Sequence, residues 1–210
     1  VRKQPTMYVF SDMFFNCTNL ISAPAVLSFN QNAVWSAMFM NCTSLTEYPY
    51  GVYPGSFNAM PNIFNGCTSL TKMPVLIGEI GSSSLTSAFN NCRSLTEAKL
   101  PKLNSVDGDA LNNMFNGCTN LQTIEIPILN ITGSLTNILT NCPSLRYVKC
   151  DSNVVSIDIP DQPIDFYAPK IIGGNKKNAM VLFARAEKIM LADSAFYYLW
   201  KNNLHKGFNL

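Results

Sequence analysis

The sequence predicts a single right-handed solenoid of stacked coils, with a parallel sheet on one face, short helical turns on the other and a C-terminal helical cap or connector. Two observations carry most of this. Cysteines stand at 17, 42, 67, 92, 118 and 142, a spacing of 25, 25, 25, 26 and 24 residues, and a common phrase moves with them: MFFNCTNL, MFMNCTSL, IFNGCTSL, AFNNCRSL, MFNGCTNL and ILTNCPSL. A third lies inside each unit, where the apolar spacing changes from helical before the cysteine to alternating after it.

Each unit opens on its helical element. Three residues before the cysteine stands Phe14, Phe39, Phe64, Phe89, Phe115 or Leu139, and four residues earlier Phe10, Trp35, Met60, Leu85, Leu111 or Leu135. With Met13, Met38, Ile63, Ala88, Met114 and Ile138 between them, apolar residues fall at i, i+3 and i+4, the buried stripe of one helical turn. Ser83, Asp109 and Ser134 precede such turns and are their candidate caps. An Asn-Cys or Gly-Cys corner follows.

The strand comes next. It starts at Leu20, Leu45, Leu70, Leu95, Leu121 or Leu145 and is clearest in LQTIEIPIL, where Ile124 and Ile126 alternate with polar residues. Leu, +3 and +5 are the inward slots, which makes Tyr48 and Tyr50 core residues as well as members, with Tyr53, of an aromatic cluster that is a second candidate contact. Pro24, Pro49 and Pro74 fall four residues after the leucine, Pro101 and Pro127 six after it. Proline removes a ladder donor, so the first three strands are expected to be shorter or more irregular. One unit is too small to bury its own apolar face, so the units must stack.

The phrase F-x-N-C-T-S-L-T at a period near 25, over about residues 10 to 150, resembles the BspA-type leucine-rich-repeat family of bacterial surface proteins. The resemblance implies a curved leucine-rich-repeat solenoid that commonly serves adhesion or protein recognition.

The repeats occupy residues 1–150. Residues 151–210 form a second region. Prolines at 160, 163 and 169 and the pair Gly173-Gly174 predict an irregular connector over 151–178, and Phe183, Met190, Tyr197 and Leu204 at sevenfold spacing predict a helix over 179–204. Its aromatics Phe196, Tyr197, Tyr198 and Trp200 are either an end cap on the last repeat or an interface for another subunit, and hence a route to an oligomer or assembly. Residues 1–8 are too short to cover the first coil, so the chain reads as a fragment of a longer array.

Composition narrows the function classes. The chain has 210 residues, 47% of them hydrophobic and only 13% charged, with a net charge of +2. No basic run interleaved with aromatics supports nucleic-acid binding, and no apolar stretch approaches the ~20 residues of a membrane span. The sequence carries no signal segment, so a cell-surface or secreted location follows from the resemblance alone, with a virion as the alternative.

A column of cysteines raises metal and disulfide chemistry. Parallel side chains one repeat apart, ~4.8 Å, neither converge on a tetrahedral ion nor favour the disulfide torsion, so buried free thiols are expected, Cys150 among them. The single histidine, His205, has no nucleophile motif near it, and GEIGSSS at 78–84 opens a turn instead of following a strand, which leaves catalysis and phosphate binding unsupported. No cofactor is expected. Of the N-x-T matches at Asn16, Asn41 and Asn130, the two inside the repeat phrase, Asn16 and Asn41, are read as corner residues bonding neighbouring backbone. The candidate binding surface is the outward sheet face: Ser22, Glu47, Lys72, Glu97, Thr123 and Tyr147 at +2, with Lys99, Glu125 and Lys149 at +4. A protein or glycan is the partner expected there. The expected function is recognition without catalysis, in an adhesin-like surface protein; a structural component of a larger assembly such as a phage virion is the alternative.

Overall fold

The computed structural model describes residues 8–23, 33–52, 60–77, 80, 85–102, 105–128, 131–132, 135, 137–150, 165–168 and 188–191. Within them the chain is a stack of coils held by parallel pairing. The strands are β1 (Tyr8–Val9), β2 (Ala33–Val34), β3 (Glu97–Lys99), β4 (Val106–Asp107), β5 (Thr123–Ile126), β6 (Ile131–Thr132), β7 (Tyr147–Cys150), β8 (Asp165–Ala168) and β9 (Lys188–Leu191). The main sheet runs β3-β5-β7-β8-β9, and two small ladders, β1-β2 and β4-β6, lie ahead of the turns. Register follows the repeat, Glu97 opposite Thr123 and Thr123 opposite Tyr147.

The six repeat cysteines form one column, and most apolar slots expected to be inward are inward; Met13 of the first coil, 51% exposed, and Val75, 69% exposed, are not. Trp35, Phe39, Met60, Phe64, Leu85, Phe89, Leu111 and Phe115 are fully enclosed, as are Leu45, Leu70, Leu95, Leu121 and Leu145. The phenylalanines stack face to face from Phe14 through Phe39, Phe64 and Phe89 to Phe115, with ring centroids 5.3 to 5.6 Å apart. Tyr48 is core, tilted against Phe39 and Phe64. Burial pushes its phenol up to about 12. Tyr50 is half-buried and Tyr53 lies outside the described residues.

The turns differ from the expected helix. Before each cysteine the chain makes overlapping tight turns in place of an α-turn: in the second coil Met38 N–H donates to Trp35 O, Met40 to Ala37 O and Cys42 to Phe39 O. The intervening amides cross to the next coil, Ala37 to Pro61 O, Phe39 to Ile63 O and Asn41 to Asn65 O, at 2.7 to 2.9 Å. Two residues per coil make this possible by adopting positive φ, those five and one before the cysteine. They are Asp12 and Asn16, Ala37 and Asn41, Asn62 and Gly66, Ser87 and Asn91, Asn113 and Gly117, Asn137 and Asn141. The left-handed region is open to Gly and tolerated by Asn and Asp, so the polar residues at these slots specify turns where the apolar spacing suggested a helix. The regular helix of the described residues is one short 3₁₀ segment, Gly108–Leu111. Its cap is Asp107, which accepts from the Asp109 amide, with Asp109 itself inside the turn. Ser83 and Ser134 lie outside the described residues.

The early strands are irregular, as the prolines require. Pairing among the first three coils on the sheet side is reduced to isolated bridges, Ser22 with Glu47 and Val52 with Leu76. The tail also departs from expectation. Asp165–Ala168 is a strand inside the segment read as irregular, and Lys188–Leu191 is a strand inside the segment read as helix, so no helix runs unbroken over 179–204. Without a further strand β7 would leave an edge of amides and carbonyls unpaired; β8 pairs with it, and β9 with β8. The register sets Phe166 and Ile189 in line with Val148.

Candidate functional site

The outward sheet face is built by alternation. In β3, β5 and β7 the central residues Ala98, Ile124 and Val148 point into the core, which turns Glu97 and Lys99, Thr123 and Glu125, Tyr147 and Lys149 to the other side. Glu47, Lys72, Glu97 and Lys99 are exposed; Thr123, Glu125, Tyr147 and Lys149 are half-covered by their neighbours. Lys99 Nζ reaches Glu125 Oε2 at 2.8 Å across the β3-β5 pair. This hydrogen-bonded contact lowers the Glu125 carboxyl below its ordinary range, with burial opposing the shift and Lys149 adding to it, and raises the Lys99 ammonium. The face is thus pinned at its centre by one exposed ion pair, a contact that orders side chains more than it stabilises the fold.

Beside the pair lies a groove of about 1060 Å³ between the third and fourth coils, bordered by Lys72, Met73 and Val75 on one side and by Lys99, Leu100 and Lys102 on the other. Sequence reading placed Lys72 and Lys99 on the face and missed the groove and Lys102. The available signal was the shift of proline from the fourth residue after the leucine to the sixth between these coils. The proposed tail interface, Phe196, Tyr197, Tyr198 and Trp200, lies outside the described residues.

The cysteine column has a chemistry that the sequence reading did not anticipate. From the second coil on, each repeat thiol donates to the carbonyl of the phenylalanine in the preceding coil: Cys42 to Phe14 and Cys67 to Phe39 at 3.0 Å, Cys92 to Phe64 and Cys142 to Phe115 at 3.2 Å, and Cys118 to Phe89 at 3.1 Å. The same carbonyl takes the N–H of its own coil's cysteine, so both lone pairs are engaged. Burial pushes the thiols up, Cys42 to about 11 and Cys142 to about 12, with Cys67, Cys92 and Cys118 higher. All six repeat cysteines are free thiols, and Cys17 is exposed. The five buried thiols, Cys42 to Cys142, are therefore held as protonated donors, not presented as thiolate ligands or nucleophiles. Among the described residues no group of His, Cys, Asp and Glu is placed to hold a metal ion, and no helix is long and apolar enough to cross a membrane.

The corner asparagines bond mainly to one another, where backbone partners were expected: Asn41 Nδ2 donates to Asn16 Oδ1 at 2.9 Å and Asn141 to Asn116 Oδ1 at 3.1 Å. Asn130 lies outside the described residues. A family profile described as a BspA type Leucine rich repeat region (6 copies) matches residues 60–159. No curated protein and no solved structure matches the chain.

Proposed function

We propose, from the premise that residues 60–159 are a BspA-type leucine-rich-repeat region, that the protein is a non-enzymatic recognition module of a bacterial surface or secreted adhesin-like protein. The reading rests above all on the outward sheet face, where Glu97, Thr123 and Tyr147 stand in one row and Lys99, Glu125 and Lys149 in another over a buried core. A surface of this kind can read a protein or glycan by matching charge and hydrogen bonds at a fixed strand spacing.

The test compares the natural chain with a variant in which four charges of the face are reversed, Glu97→Lys, Lys99→Glu, Glu125→Lys and Lys149→Glu, on a glycan array and on immobilised extracellular-matrix proteins. The natural chain should bind a defined subset. The variant should lose those partners while Arg93→Glu, an exposed change next to the cysteine corner, keeps them. Equal binding by all three chains would remove the sheet face from recognition.

A further inference from the structure

The third and fourth coils are joined on the turn side and part on the sheet side. Asn62 N–H donates to Thr86 O, Phe64 to Ala88 O and Gly66 to Asn90 O at 2.8 to 3.0 Å, and Ser94 N–H reaches Thr68 O at 3.1 Å. Beyond that point the ladder stops. Strand β3 is the edge of the five-stranded sheet, and among the described residues no backbone hydrogen bond joins 71–77 to 96–100. Pro74 has no amide to give, and the chain after it pairs backwards with the second coil, where Val52 N–H donates to Val75 O at 2.8 Å and Ile77 N–H to Val52 O at 2.7 Å. The groove is the opening left by this divergence.

The orientation of β3 follows from its bonds to β5. Thr123 N–H donates to Thr96 O and Leu100 N–H to Glu125 O, so residues 96, 98 and 100 turn their backbone groups to β5. Alternation then aims the N–H and C=O of Glu97 and Lys99 into the groove. An open edge of this kind is a template for another strand.

The walls say what strand it would take. Four lysines, Lys72, Lys99, Lys102 and Lys149, border the groove against two carboxylates, Glu97 and Glu125, and Glu125 is already held by Lys99. Lys72 and Lys102 are exposed and have no ion pair among the described residues. Val75 leaves 69% of its surface in solvent at the same rim. Building on the recognition reading above, we propose that the β3 edge captures an extended acidic segment of a partner protein. The segment adds a strand to β3, sets carboxylates against Lys72 and Lys102, and lays alternate apolar side chains on Val75. An anionic glycan would satisfy the lysines but would leave the amides of Glu97 and Lys99 without a ladder, which favours a polypeptide.

The probe is a short fluorescent peptide alternating glutamate and valine, titrated against the full chain by anisotropy. Two companions carry lysine in place of glutamate, or N-methyl groups on alternate amides with every charge kept. The glutamate peptide should bind and the lysine peptide should not at the same concentrations. N-methylation should weaken binding about tenfold, the change expected for one or two lost hydrogen bonds. The exposed double change Lys72→Glu and Lys102→Glu should weaken it at least as much, and Arg93→Glu should not. Equal binding of the N-methylated peptide, or no preference for glutamate over lysine, overturns strand addition. Should the peptide fail while the four-charge reversal still abolishes binding to glycans or matrix proteins, recognition by the face stands and only the edge proposal falls.

Discussion

From the second coil to the sixth, the corner cysteine meets three demands at once: small volume, full burial and one proton to offer a carbonyl of the neighbouring coil. Alanine meets the first two. Replacing Cys92 by alanine removes the bond to Phe64 O and opens a small void, and should cost about 1–2 kcal/mol in urea unfolding. The loss should depend on pH in a definite direction. Burial raises the Cys92 thiol well above its ordinary 9.0, so its contribution is complete below pH about 9. It declines as pH rises past that value, because the unfolded chain then gives up a proton that the folded chain keeps. Above pH about 10 the natural protein should lose about 1.4 kcal/mol per pH unit more than Cys92→Ala; parallel curves for the two chains would show that the thiol does not stay protonated in the folded state. Glycine has its own role at two corners. At Gly117, φ is +76° and an added Cβ would lie 2.5 Å from Asn91 Oδ1, so Gly117→Ala should destabilise by about 1–3 kcal/mol in the same assay. A change within a few tenths of a kcal/mol would mean that the asparagine moves aside freely.

At the scale of the coil, the inward positions were legible in the sequence and the backbone that delivers them was not. Phe14, Phe39, Phe64, Phe89 and Phe115 share a column because the period is near 25, and no detail of the turn is needed to say so. Spacing of i, i+3 and i+4 is met equally by an α-turn and by two tight turns with left-handed residues. The choice lay in the Asn, Asp and Gly that fill ten of the twelve positive-φ slots, Ala37 and Ser87 holding the other two, which is turn chemistry and not periodicity. The outward face was likewise readable from alternation, whereas the groove depends on a missing ladder between two coils, a relation between segments that no single repeat contains. Proline offsets announced irregular early strands, and their shift between Pro74 and Pro101 was the one mark in the sequence of where the sheet opens. The amides of Glu97 and Lys99 should therefore exchange with solvent much faster than those of Ala98 and Ile124, as read by NMR hydrogen exchange. Pro74→Val restores a donor at the divergence and should slow the exchange of Glu97 and Lys99. Protection of both already present in the natural chain would contradict an open edge.

Across the whole molecule, the backbone bonds between coils among the described residues join neighbouring coils, so stability is a sum of junctions and protection should be highest in the middle coils. Phe14 and Leu20 of the first described coil are only half-buried, whereas their counterparts Phe64 and Leu70 are enclosed. Strands β8 and β9 carry the sheet past the last cysteine repeat at intervals of 18 and 23 residues from their partners, set by Tyr147 opposite Asp165 and Asp165 opposite Lys188. Removing residues 179–210 takes away β9 and bares the edge of β8, and should lower solubility or broaden the unfolding transition of an otherwise monomeric chain. Sedimentation and thermal unfolding of both chains would check it; a soluble, cooperatively folding truncation beside an oligomeric intact chain would instead mark the tail as a subunit interface. The spacing of the junctions also governs how such a gene can change. Because thiol, aromatic and amide contacts all join positions about one coil apart, adding or losing one whole coil leaves a junction like any other, whereas a half-coil insertion offsets every ladder it crosses. Variation in length within a lineage should then come in steps of about 25 codons, through unequal recombination between neighbouring copies, with intermediate lengths purged as unfolded.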